Sequence, residues 1–210
     1  MLHSISYSGG VPEILGLRER KKYERRQRIE RVAIDLFERN GFDAISIEQI
    51  AAAADIAPRT FFSYFETKED VVLSDYAHRL QRIRDTLRDR PQREPAWAAL
   101  QASFAAVAAD YEEASAQLLR RFRIIASSPS VAARSLHIQA GWEASLADDL
   151  RVRLDAPPNE PEPSLLAAAA LAVMRASIQQ WLSDVHATPL PVLVQAGFAR
   201  LGRGLLPRRR

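Results

Sequence analysis

Cysteine is absent from the 210 residues. Disulfides and thiolate chemistry are therefore excluded, and a cytoplasmic protein is the simplest expectation. Glycine is scarce: there are eight, and Gly9, Gly10 and Gly16 fall in the first 16 residues. Neither a glycine-rich phosphate loop nor a G-x-S-x-G nucleophile elbow occurs. The four histidines, His3, His78, His137 and His186, do not pair at metal-ligand spacing. Asp148 and Asp149 are adjacent, so on a helix their carboxylates diverge and cannot share a proton. The expectation is a protein that is not an enzyme and needs no metal and no cofactor.

Long apolar runs are also missing. The longest candidate, Leu165 to Ile178, contains Arg175 and falls short of the roughly 20 residues a membrane span needs. Residues 1–16 lack the basic-then-apolar order of a secretory leader and read as a disordered lead-in. Nor is either sign of charge in large excess, since 29 basic and 26 acidic side chains leave a net +3. Residues 1–67 carry 10 of each and sum to zero. Position matters more than the total. Between Arg18 and Arg31 eight basic residues stand against Glu19, Glu24 and Glu30. Within this stripe, Lys21, Lys22 and Arg25 are candidates for salt-dependent contact with phosphates, or else a solvated helix face.

What is present is helix. Apolar residues recur every three or four positions, and no run of alternating β-branched residues appears. A first helix is expected from Leu17 to Arg39, stopped by Asn40-Gly41. A short helix follows from Ile47 to Ala53, with Ser46 as its N-cap. Asp55 marks a turn. Pro58 suits the first turn of a third helix running to Tyr64, where a missing N–H costs nothing. A long fourth helix is expected from about Lys68, with Thr67 as its cap, and Arg90-Pro91 ends it. Further helices are expected at about 95–112, 113–126, 129–154, 163–185 and 191–205, with the proline-rich stretch 156–163 as a loop. The fold class is all-α, about nine helices in total. An N-terminal three-helix bundle (17–67) precedes a larger helical bundle (68–206), and a basic tail (207–210) ends the chain. The last two helices are apolar over more than one face. A shared four-helix interface in a homodimer accounts for that width, and an intrachain core is the alternative.

Two short helices joined by a tight turn, the second carrying exposed polar residues, form a helix-turn-helix. The second helix of such a unit enters the DNA major groove. Ala57, Pro58, Arg59, Thr60 and Ser63 lie toward its outward N-terminal side. Arginine can bond guanine O6 and N7 together, so Arg59 is the first choice as a base reader.

Between Arg18 and Val72 the sequence resembles the tetracycline-repressor (TetR) family of bacterial regulators. The residues that carry the likeness include Ala33 to Phe37, Gly41-Phe42, Ser46, Ile50-Ala51, Ala54, Ile56, Thr60 to Phe65 and Lys68. The resemblance implies a homodimer on a near-palindromic double-stranded DNA operator. It also implies sugar-phosphate contacts by Ser46, Tyr64 and Lys68. Family members often have glycine at the positions of Asp55 and Arg59, and tyrosine at that of Phe62. The DNA contacts are therefore expected to differ, with a donor gained at Arg59 and a hydroxyl missing at Phe62.

The segments Arg120 to Ile125, Pro129 to Arg134 and Gly141 to Glu143 are similar to regulators with an acyl-CoA-like ligand domain. That similarity implies a small hydrophobic effector, of fatty-acyl or acyl-CoA type. Candidate pocket residues are Arg120, Arg123, Trp142 and Trp181; the alternative for the arginines is a solvated face, and for the tryptophans ordinary core packing. A repressor released by ligand is the leading expectation. A ligand-dependent activator or co-repressor-type regulator, and a helical interaction protein that does not read DNA, stand beside it.

Overall fold

The structure is a computed structural model and describes residues 16–113, 115–183 and 188–204. Most of the expected lead-in (1–15) and the basic tail (207–210) lie outside the described residues. Among the described residues the fold is all helical, with ten helices and no strand. The chain divides into two compact units, one ending at Val72 and the other beginning at Leu73.

The first unit holds α1 (Leu17–Asn40), α2 (Ile47–Ala53), α3 (Pro58–Phe61) and α4 (Lys68–Val72). Gly41 ends α1 at φ 85°, and its N–H bonds the Phe37 carbonyl at 2.9 Å. Ser46 and Gln49 cap α2 reciprocally, each side chain bonding the other's backbone N–H. Asp55 turns the chain at φ 53°, a left-handed conformation that aspartate tolerates better than most residues. Ile29, Ile50 and Phe61 are fully buried at the centre of this unit. Replacing a core phenylalanine such as Phe61 by alanine costs about 3–5 kcal/mol. Ile47 and Ile56 are only half-buried, whereas Ile34, Phe42 and Ile45 are buried.

The long helix expected from Lys68 is in fact two helices. Leu73 to Asp75 form a turn between α4 and α5 (Tyr76–Asp89), which accounts for ten helices rather than nine. Thr67 and Asp70 cap α4 reciprocally, Thr67 Oγ1 accepting at 3.2 Å and Asp70 Oδ2 at 3.1 Å.

The second unit continues with α6 (Ala96–Glu113), α7 (Ser115–Ser127), α8 (Pro129–Leu154), α9 (Glu162–Ser183) and α10 (Leu190–Gly202). Pro129 occupies the first turn of α8, and Asp155 ends it in the left-handed region at φ 50°. A charged clamp joins α5 to α8. Arg84 bonds Asp149 with two nitrogens, at 2.6 and 3.1 Å, and Arg88 adds a bond at 2.8 Å. Helix α9 packs on α8 and α10. It is long and apolar enough to cross a membrane by length and composition. Yet it buries Ala167, Leu171, Met174 and Trp181 inside the bundle, as a core helix does. At Gly197 of α10 an added Cβ would stand 2.7 Å from Val173 Cγ1, so glycine permits the close crossing of these two helices.

Candidate nucleic-acid interface and effector cavity

The turn before α3 fixes which side chains face outward. Ala57 is extended (φ −70°, ψ 144°) and Pro58 opens the helix. Both are exposed, as are Arg59, Phe62 and Ser63, while Thr60 is half-buried. Phe61 points inward at 0% exposure and anchors the helix. Phe62 is 56% exposed and meets Phe61 edge-on at 5.7 Å. Regular helix stops at Phe61, short of the expected Tyr64. The chain still winds on through tight turns, with Ser63 N–H on the Thr60 carbonyl and Tyr64 N–H on the Phe61 carbonyl. Among the described residues Arg59 makes no hydrogen bond or ion pair. Its planar fork of donors is thus open to an acceptor from outside.

The flanking residues divide into exposed and engaged. Ser46 is exposed, and its Oγ accepts from Gln49 N–H at 3.3 Å. A hydrogen bond from the Ser46 side chain, then one from its own backbone N–H, holds the Glu48 carboxyl below its usual range. Lys68 is half-buried, and Nζ donates to the carbonyls of Phe42 at 3.0 Å and Ile45 at 3.1 Å. Tyr64 is half-buried, and its carbonyl accepts from Arg26 Nη1 at 3.3 Å. Arg26 also covers the Phe65 ring at 4.6 Å and pairs with Glu30 at 3.2 Å. One arginine of the basic stripe therefore ties α1 to the end of the recognition segment. Lys21, Lys22 and Arg25 are exposed, and among the described residues none is in an ion pair.

The second unit contains a cavity of about 300 Å³. Its buried part includes Tyr76, Arg79, Tyr111, Phe122 and Trp142. Leu136, Arg175 and Gln179 also line it and are exposed, so they mark its rim. Trp142 is thus a lining residue, as expected from the sequence. Arg120, Arg123 and Trp181 do not line it. Arg123 is exposed on α7, Arg120 is half-buried, and Trp181 is 1% exposed in the core. Arg79 is the residue that sequence reasoning missed. It is 5% exposed, and its guanidinium carbon lies over Tyr76 at 5.1 Å and over Tyr111 and Phe122 at 4.8 Å. Burial pushes the phenols of Tyr76 and Tyr111 above their ordinary value, so both are neutral near pH 7. The available signal was weak: Asp75 and Arg79 stand four apart, the spacing of an ordinary surface pair.

Comparison with known proteins decides what these two features belong to. The model for bacterial regulatory proteins of the tetR family matches residues 29–74, and the model for the MftR C-terminal domain matches 94–206. The chain belongs to the TetR family. It is 30% identical over 174 residues to MftR of Mycobacterium tuberculosis, described as a mycofactocin biosynthesis transcriptional regulator. That match covers 83% of this chain and 87% of MftR. It is 29% identical over 181 residues to the transcriptional regulator TcmR of Streptomyces glaucescens, covering 81% of this chain and 79% of TcmR. Among solved structures it resembles Thermus thermophilus FadR, a TetR-family repressor in complex with lauroyl-CoA. There the identity is 25%, the TM-score 0.54, and the coverage 88% of this chain and 97% of FadR. As a TetR-family protein it is a DNA-binding transcriptional regulator, and α2 with α3 is its helix-turn-helix. A homodimer is typical of the family.

Proposed function

We propose that this TetR-family chain is a cytoplasmic repressor that reads a near-palindromic operator through α3 and is released by an apolar effector held in the second-unit cavity. Arg59, exposed and without a partner among the described residues, supports the reading role. Ala57, Pro58, Thr60, Phe62 and Ser63 form the surrounding groove surface. Lys21, Lys22, Arg25, Ser46 and Tyr64 supply the phosphate contacts that set register without reading sequence. Lys68 supports this surface from inside, through its two carbonyls. In the dimer the two half-sites lie roughly 34 Å apart, one turn of DNA.

The dimer face is assigned to α9 and α10. Leu165 at 69% and Val192 at 50% exposure present apolar surface on these helices.

The observation that carries the effector reading is where the cavity touches α5. Tyr76 and Arg79, in the first turns of α5, both line it. The turn Leu73–Asp75 joins α5 directly to α4. A ligand that favours one setting of α5 shifts the spacing of the recognition helices, by no more than its differential affinity for the two settings. A fatty-acyl or acyl-CoA-type effector suits the apolar lining, and FadR holds lauroyl-CoA. The test is a gel-shift titration of operator-bound protein with lauroyl-CoA and other apolar ligands. Release of DNA is expected. Tighter binding would replace release with a co-repressor reading, and no response to any apolar ligand would overturn the sensor.

A further inference from the structure

The effector cavity is mostly apolar, with Arg175 and Gln179 at its rim and a buried polar cluster where α5 and α8 meet it. Arg79 Nε donates to Asp75 Oδ2 at 2.6 Å, and Nη2 lies against the same oxygen. Even so, Nη2 of Arg79 and Oδ1 of Asp75 are buried without a hydrogen-bond partner. The Tyr76 and Phe122 rings over the guanidinium do not consume its donors, because a guanidinium bonds in its own plane, whereas the Tyr111 hydroxyl shares in its hydrogen bonding. Burial alone would pull the arginine down, but the Asp75 carboxylate bonded to it offsets that, so the group stays charged.

A second donor lines the same cavity. Tyr76 Oη and Ser135 Oγ are 2.7 Å apart, and Gln139 Nε2 donates to Ser135 Oγ at 3.1 Å. If the tyrosine donates to the serine, the serine hydrogen is left over. If the serine donates, the tyrosine hydrogen is left over. Either way one hydroxyl hydrogen remains, and both residues line the cavity. Among the described residues the lining contains two arginines, Arg79 and Arg175, and no carboxylate, and Asp75 is not part of it. A saturated chain end would leave these donors buried and unpaired, which is costly. A carboxylate takes two parallel bonds from a guanidinium and accepts a hydroxyl as well.

We infer that the effector is a free apolar carboxylic acid whose carboxylate is bonded by Arg79 and the Tyr76–Ser135 pair. This rests on the cavity being the effector site. It narrows the ligand from an acyl group in general to the acid.

The test is calorimetric titration of the full-length protein with sodium decanoate, decan-1-ol and decanoyl-CoA. Decanoate is expected to bind at least tenfold more tightly than decanol. In the double variant Asp75→Asn/Arg79→Gln, which leaves no lone buried charge, decanoate falls by tenfold or more while decanol stays within twofold. The wild-type comparison of acid and alcohol stands even where the variant fails to fold. Equal binding of decanoate and decanol to the wild type overturns the inference, as does undiminished decanoate binding by a folded variant. Decanoyl-CoA binding without preference for acid over alcohol also overturns it, and leaves the cavity as the effector site. Failure of all three probes to bind overturns both readings.

Discussion

The ammonium of Lys68 stands 4.3 Å from the centre of the Phe42 ring and donates to the Phe42 carbonyl at 3.0 Å. A lysine that the family resemblance assigns to phosphate thus engages two of its three N–H donors inside its own unit, holding the segment between α1 and α2. The two roles separate experimentally. Lys68→Gln should cost about 1–2 kcal/mol of stability, the scale of a charge-assisted hydrogen bond at a half-buried site. The slope of DNA affinity against salt should stay as it is. Thermal melts and salt titrations check this. A slope reduced by about 1 with an unchanged melting temperature would return Lys68 to the phosphate contacts.

The basic stripe makes the opposite prediction. Lys21, Lys22 and Arg25 are exposed, and among the described residues none forms an ion pair. Replacing all three by glutamine should weaken binding to specific and non-specific DNA alike. The salt slope should fall by up to about 3, or about 0.9 for each phosphate that is no longer neutralised. Fluorescence anisotropy at several salt concentrations measures it. An unchanged slope would make the stripe a solvated helix face.

Acid should loosen the α5–α8 clamp. Burial pushes the Asp149 carboxyl up, but hydrogen bonds from Arg84 and Arg88 and their charges hold it below its ordinary value of 3.8. A depressed folded value means that the contribution is complete above 3.8 and disappears as pH falls through the folded value. Asp149→Asn should cost about 2 kcal/mol near neutral pH, as expected for bonds between charged groups. The gap between variant and wild type should close in strong acid. Melting curves from pH 7 downward check both, and a gap independent of pH would remove Asp149 ionisation from the clamp.

The sequence made the local stops of the fold legible. Asn40-Gly41, Ser46, Asp55, Pro58 and Pro129 each dictate a helix end or start through their own backbone chemistry, and the structure uses all of them. The break at Leu73–Asp75 was hidden. Apolar residues continue through it at helical spacing, and neither proline nor glycine marks it; only Ser74 and Asp75, both common cap residues, hint at a restart. The exposed face of α3 followed from the outward positions of its short helix. Arg79 did not, because its burial depends on Tyr111 from α6 and Phe122 from α7, and no local pattern reports that packing. For the same reason Arg120 and Arg123, bunched in sequence, looked like a pocket mouth, although neither lines the cavity.

The central claim is that α3 reads DNA, and the most direct measurement is operator affinity of the full-length protein with and without Arg59→Ala. An operator is first selected from random double-stranded DNA, then titrated by anisotropy together with variants at each position. The wild type should prefer a near-palindromic site. Arg59→Ala should cost about 1–3 kcal/mol and erase the preference at one position of each half-site. Unchanged affinity and unchanged preference in the variant would contradict the assignment of Arg59 as reader, and with it the orientation given to the recognition helix.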